Sequence, residues 1–384
     1  MGNDVLEISI NLVKVAVIFL MMVQMVPLLV WLERRGSAFI QNRLGPNRVG
    51  PLGLLQLLAD AVKFIFKEQF IPANAIKFMF VAAPVVALIP AALAFAAIPL
   101  SVPLNIDAFQ FLGQSWGPYV INMQSVKMEV GIIYILAVSS LGAYGLLIAG
   151  WGSGNKYSLL GALRASAQMI SYELALGLSI VGILMIYGTF DLNKMIDMQS
   201  GALSFVFAGK EFVAPSFIPN WGIFFQPIGA LLFFIAAFAE SNRLPFDLPE
   251  SEGELVAGFH TEYGGFKMLL FFMGEYGHMM VSSGLVTVFY LGGYHIPGLT
   301  PEIVSNFFVG QVGAGTLASA LTTLVFLASF SVKVAILLWI FIWVRWTLPR
   351  FRYDTLMDLG WRTLLPWTLG NAIITAIVLY FAKS

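Results

Sequence analysis

The chain has 384 residues, of which 59% are hydrophobic and only 11% charged, and its mean hydropathy is +0.84. A soluble domain carries about 25% charged residues, so this one lacks the means to cover itself with a hydrated surface and the bilayer is its natural solvent. Its 21 basic residues balance its 21 acidic ones, and no basic patch stands out, which excludes nucleic acid as a partner.

Eight stretches are long and apolar enough to cross about 30 Å of hydrocarbon; they lie near 8–31, 76–98, 130–150, 168–188, 222–240, 274–292, 318–343 and 363–381. The expected fold is all-α: a polytopic transmembrane bundle of about eight spans, forming one integral membrane domain over 1–384. Asp4 and Glu7 precede the first stretch in place of a basic n-region, so it reads as a retained helix. Pro27, Pro84, Pro90 and Pro227 fall in or near spans, where neighbouring helices can satisfy the freed carbonyls. Lys and Arg collect after spans one, three, five and seven, at Arg34, Arg35, Arg43, Arg48, Lys63, Lys67, Lys156, Arg164, Arg243, Lys267, Arg345, Arg350, Arg352 and Arg362; these are 14 of the 21, against Lys127, Lys194 and Lys210 in the alternate loops. The positive-inside rule then puts the basic loops in the cytoplasm and both termini on the outer side. Trp residues near span ends, such as Trp31, Trp151, Trp343 and Trp367, fit an interfacial belt.

There is no cysteine, so the chain forms neither disulfides nor the thiolate ligands of an iron–sulfur cluster, and any such cluster belongs to a partner. His260, His278 and His295 show no metal-binding spacing, and each reads as a hydrogen-bonded structural residue.

Three basic-side segments concentrate charge, glycine and proline. In the first, Glu33-Arg34-Arg35 is followed by the Gly/Pro-rich run Gln41–Pro51, a tight irregular backbone with guanidinium donors beside it. Pro51 suits the first position of a helix, in which Gln56, Asp60, Lys63 and Lys67 share one face. That amphipathic helix is expected to lie at the interface with its stripe on a wet cavity; the plainer alternative is a headgroup contact with Asp60 paired to Lys63. The second segment, Ala239–Glu254, with Glu262 and Glu275 beyond, places six acids between Glu240 and Glu262. Mutual repulsion there suits proton carriage near neutral pH, while a capping box of Ser251 and Glu254 accounts for part of the cluster. The third, Arg345–Asp354, is a basic anchor with aromatic neighbours. Glu173 and Lys333 within spans, with Glu129, Glu240 and Glu275 close to span ends, are costly to bury, so a functional or paired role is the default, with a simple reach to the interface as the alternative for Glu129 and Glu275.

Several of these motifs carry a family likeness. Glu33-Arg34-Arg35 with 41–55 and Ala59-Asp60-Ala61-Val62-Lys63, then Gly161–Ala165 with Ile170-Ser171-Tyr172-Glu173, then 239–263 and 345–354, in this order, resemble the family of H-type membrane subunits of respiratory NADH:quinone oxidoreductase, complex I. The resemblance implies an eight-helix subunit at the junction of the complex's hydrophilic and membrane arms, with no independent catalysis of its own. Arg34, Asp60, Lys63, Phe246, Asp247, Glu250 and Glu252 are then expected to line or support a chamber for quinone, which is the substrate. Glu173, Glu240, Glu254, Glu262, Glu275 and Glu129 are expected on a proton path. Arg43, Arg48, Arg345, Arg350 and Arg352 are expected on loops that dock partner subunits. FMN and iron–sulfur clusters are expected in those partners, the cluster-bearing hydrophilic subunits among them, alongside neighbouring membrane-arm subunits, lipids and the bacterial inner membrane as location. Two departures stand out: 191–221 and 293–316 exceed the family's usual outer connections, and Glu129 replaces an amide. A hydrogenase-type complex with another electron donor is the alternative within this class. A lone ion transporter would not need acids clustered on one side, and a passive scaffold would leave Glu173 without a reason.

Overall fold

The computed structural model describes residues 2–111, 114–207, 210–213, 218–248, 256–313 and 315–383. It is an all-α bundle: α1 Gly2–Ile40, α2 Gln56–Phe66, α3 Lys77–Ala96, α4 Gly131–Ser139, α5 Gly142–Gly152, α6 Lys156–Tyr187, α7 Leu192–Met198, α8 Gly222–Phe225, α9 Pro227–Glu240, α10 Gly265–Tyr290, α11 Pro301–Val312, α12 Thr316–Thr347, α13 Tyr353–Asp358 and α14 Leu365–Lys383. A π-helical turn, Leu359–Leu364, joins the last two.

Among the described residues six helical segments have the length and hydropathy to cross a membrane, at Ser9–Ile40, Lys77–Ala96, Gly131–Gly152, Lys156–Tyr187, Thr316–Thr347 and Tyr353–Ala382. The other two expected spans coincide with α9 and α10, and each departs for its own reason. Pro227 opens α9 after a break at Gln226, leaving 14 residues, about 21 Å at 1.5 Å per residue. Helix α10 has 26 residues but mixes Lys267, Glu275, His278, Ser282 and Ser283 with its apolar ones. Those polar residues are buried, because α10 is the central helix, packed against α3, α12, α9 and α1.

Local signals set the helix ends. The Asn155 side chain accepts from the Tyr157 amide at 2.9 Å and starts α6, which stops at Gly188 in the left-handed region. Thr300 caps α11, with Pro301 at its first position. Close packing of α3 on α5 depends on Gly145, where an added Cβ would lie 2.7 Å from the Ala87 backbone.

The two ends of the bundle differ. At the end away from the basic loops, chain 99–130 holds two antiparallel pairs, β1 Leu104–Ile106 with β4 Tyr119–Ile121 and β2 Phe109–Phe111 with β3 Gln114–Trp116. The long connection 191–221 supplies α7 and the hairpin of β5 Ser204–Phe207 with β6 Lys210–Val213, and 293–316 supplies α11. Lys333, reaching this end from inside α12, pairs with no acid among the described residues. Its Nζ donates to the carbonyls of Leu291, Gly293 and His295 at 2.7, 2.9 and 2.6 Å and sits 4.5 Å from the Trp221 ring centroid. A cation there satisfies the carbonyl-rich end of α10.

Candidate functional site

The basic-loop end and the interior next to it hold most of the expected site residues that the structure describes. Glu33, late in α1, is 7% exposed and gathers three donors from distant parts of the chain. Arg345 at the end of α12 and the Tyr276 hydroxyl on α10 both donate to its carboxylate, and Arg243 Nη1 lies 3.5 Å from Oε2. The Arg243 guanidinium also stacks over the Tyr276 ring at 4.0 Å. Burial works against its charge, but Tyr276, Glu33 and Glu275 beside it outweigh burial and raise its pKa above the ordinary arginine value. Arg345, expected on a docking loop, is thus committed to an interior contact.

One residue on, Arg34 turns outward. Its Nη1 donates to Asp60 Oδ2 at 2.5 Å, and Gln56 Nε2 donates to Asp60 Oδ1 at 3.0 Å. Asp60 therefore pairs with Arg34 across the loop, not with Lys63 along its own helix. Helix α2 buries none of its residues within the chain and exposes Leu58, Val62, Ile65 and Phe66, as an interfacial helix should. Lys67 falls just past its end in extended backbone, off the expected stripe. The Gly/Pro-rich run is tight, as expected: at Gly53, with φ 74°, an added Cβ would lie 2.2 Å from the Pro46 carbonyl oxygen. Arg43 and Arg48 are exposed.

The second and third segments pack together. Phe246, 4% exposed, lies against Tyr172 and Phe351 with ring centroids 5.4 and 5.6 Å away, and Gln168 Nε2 donates to the Phe246 and Ala239 carbonyls at 2.6 and 2.9 Å. Asp247 is buried and accepts from Arg350 Nη2 at 3.0 Å. Arg352 pairs with Asp354 at 3.5 Å, both largely exposed. Phe246, Asp247 and Arg350 are thus part of the framework that holds residues 241–248 on the bundle. Glu250, Glu252 and Glu254 lie outside the described residues.

Deeper in, the break between α4 and α5 and the end of α9 meet the middle of the continuous helix α10. They enclose a cavity with ≈ 20 Å³ open to the centres of water-sized molecules, lined by Glu240, Ser241, Asn242, Glu275 and His278 among small and apolar residues. Glu240 lies within hydrogen-bonding reach of Ser139 and within the electrostatic range of Glu173 on α6, so three of the expected path acids lie together here. Glu262 accepts from Asn155 Nδ2 at 2.8 Å, nearer the basic loops. His260 beside it is buried on Phe259, and burial pushes its pKa down to about 3, so it stays neutral. Glu129 does not join the group. It is exposed ahead of α4, whose nine residues, about 13 Å of helix, separate it from Ser139.

Sequence reasoning passed over Glu33, Tyr276 and His278 as site residues. Glu33 had a signal, since an acid followed by two arginines at a span end is as costly as the others. His278 departs from expectation: both ring nitrogens are without a hydrogen bond among the described residues.

A bundle with, among the described residues, six helical segments long and apolar enough to cross a membrane, around buried carboxylates, arginines and an imidazole, is a polytopic membrane protein with an ionisable interior. The model of the NADH dehydrogenase family matches residues 13–376, and the chain belongs to this family. It is 63% identical to the H subunit of the NADH-quinone oxidoreductase of Bdellovibrio bacteriovorus, over 100% of this chain and 99% of that one. It is 41% identical to the H 2 subunit of the Koribacter versatilis enzyme, over 98% and 99% of the two chains, and 43% identical to the H 2 subunit of the Geobacter sulfurreducens enzyme, over 99% and 100%.

Proposed function

We propose that the chain is the H-type membrane subunit of a proton-translocating NADH:quinone oxidoreductase, coupling quinone reduction to proton movement. Its basic loops, through the exposed Arg43, Arg48 and Arg352, meet cluster-bearing hydrophilic partners, which carry the FMN and iron–sulfur clusters. Those loops face the cytoplasm of a bacterial inner membrane, and both termini lie outside. Other membrane-arm subunits continue the path, and lipid covers the apolar helices.

The observation that carries this reading is that Glu240 and Glu275 line one cavity, with Glu173 within electrostatic range of Glu240, just inward of the Glu33, Arg243 and Arg345 network. Quinone approaches from the α2 side, where Asp60 and Lys63 on the interfacial helix and Arg34 on α1 offer polar groups, and Glu250 and Glu252 are assigned to the same chamber. A change of charge at the quinone alters the field at Arg243, which already senses Glu33 and Glu275, and shifts proton occupancy at the interior carboxylates. Glu173, Glu240, Glu254, Glu262 and Glu275 form the path. Exposed at the far end, Glu129 would lie at its outer margin.

The test uses the assembled complex in proteoliposomes. Glu240→Gln keeps the shape of the side chain and removes its ionisation. Quinone-linked NADH oxidation and proton pumping, each normalised to NADH oxidation by an artificial acceptor that bypasses quinone, are expected to fall together by roughly 100-fold, the scale of a lost proton-transfer group. Wild-type turnover and pumping would overturn the reading.

A further inference from the structure

The imidazole of His278 has no structural reason to be where it is. It is 6% exposed, neither ring nitrogen is hydrogen-bonded among the described residues, and it lines the same cavity as Glu240 and Glu275. Buried polar groups are almost always paired, because leaving one unpaired forfeits its hydration. A histidine that served packing alone would find a carbonyl or hydroxyl, as the nearby Ser283 and Thr287 do on their own helix.

The surroundings are shaped to admit the ring. Residue 142, the first of α5 after the break at Ser140 and Leu141, is glycine, and an added Cβ would stand 2.9 Å from His278 Nε2 and 3.3 Å from Cε1. On α10, Glu275 and His278 are three residues apart and so share a face. Glu240 reaches the same cavity from the end of α9. The ≈ 20 Å³ open to water centres exceeds the roughly 10–15 Å³ that one water requires, and the lining supplies the polar partners a water needs. A neutral imidazole offers one donor and one acceptor on opposite edges, the combination that passes a proton without net change of charge.

We propose that His278, with water in this cavity, relays protons between the carboxyl groups of Glu275 and Glu240. One ring nitrogen accepts the proton released by the donor carboxylic acid, and the other releases a proton to the acceptor carboxylate. One carboxylic acid is lost, one is formed, and the imidazole ends as its other neutral tautomer, which ring rotation resets. This rests on the reading that Glu240 and Glu275 carry protons, and the experiment separates the two.

The assembled complex in proteoliposomes is compared as wild type, His278→Leu, His278→Gln, Gly142→Ala and Glu240→Gln, with rates normalised to the artificial-acceptor rate. The measurements are quinone-linked turnover, pumping and the solvent deuterium isotope effect on turnover. In His278→Leu turnover and pumping are expected to drop by roughly tenfold or more, with a larger isotope effect as proton transfer becomes limiting. His278→Gln, which still holds water, should recover part of the loss, and Gly142→Ala, which displaces the ring, should fall between. Wild-type turnover and isotope effect in His278→Leu beside an impaired Glu240→Gln would overturn the relay and leave the carboxylate path standing. Wild-type behaviour in both would overturn the two together. Equal losses in His278→Leu and His278→Gln with an unchanged isotope effect would mark a structural role and also overturn the relay. Should His278→Leu fail to assemble, His278→Gln and Gly142→Ala decide: wild-type values in both overturn it, and a raised isotope effect in both supports it.

Discussion

Glu33 and Arg34 are neighbours in the chain and both form ion pairs, yet they do different things. The Glu33 and Arg243 side chains are 9% and 6% exposed, whereas those of Arg34 and Asp60 are 45% and 22% exposed. Burial, not the chemistry of the pair, decides the consequence. In the first case losing a partner strands charge in a medium that does not solvate it; in the second, water and salt take over. The inward pair therefore holds the bundle together at the basic end, and the outward pair positions α2 at modest cost.

The largest effect is expected at Glu33. Glu33→Ala leaves Arg243 and Arg345 without their shared carboxylate, a loss of about 3–5 kcal/mol for a broken buried pair; the amount of intact complex on native gels should collapse, and normal assembly would remove the distinction between the two pairs. Arg350→Ala should come next, between Glu33→Ala and Tyr276→Phe: it strands the buried Asp247 carboxylate, 4% exposed, but Arg350 itself is 36% exposed and water reaches the vacated position; unchanged thermal stability would show that burial is the wrong criterion. Tyr276→Phe removes one hydrogen bond to the Glu33 carboxylate and should cost about 1.5–3 kcal/mol, read as a lower inactivation temperature with assembly retained. The smallest stability change belongs to Asp60→Asn, about 0.2–1 kcal/mol for an exposed pair. Here the effect should appear instead as impaired quinone reduction in a complex of normal thermal stability. Unaltered kinetics with both short-chain and long-chain quinones would make α2 an interfacial helix and nothing more.

The sequence made the helical class legible because apolar periodicity is strong in membrane spans, and most of the expected stretches begin or end within a few residues of an observed helix end. The span count was less legible. Hydropathy windows average over a helix and do not register that Gln226 and Pro227 break one segment, or that a central helix such as α10 can hold polar residues where other helices satisfy them. The alternative pairing of Asp60 with Lys63 came from spacing along a helix, which suggests i,i+3 neighbours, whereas the loop that returns Arg34 to Asp60 is a tertiary fact. The Glu33 network joins α1, the loop after α9, α10 and α12, which no local pattern encodes. Each of Glu173, Glu240 and Glu275 was singled out by the cost of an acid in a span, but the cavity that Glu240, Glu275 and His278 line depends on how the α4–α5 break and the end of α9 meet the middle of α10. Lys333 was legible as an intruder, though not as a cap for the carbonyls of 291–295.

The central claim is that Glu240 and Glu275 act on one path, and a double-mutant cycle on pumping tests it most directly. Protons pumped per unit of artificial-acceptor activity are measured for Glu240→Gln, Glu275→Gln and the double variant in proteoliposomes. Residues that serve one path are not additive, so the double variant is expected to lose no more than the worse of the two singles. Losses that multiply, with the double variant impaired by the product of the two single factors, would place the carboxylates on independent routes and contradict the account.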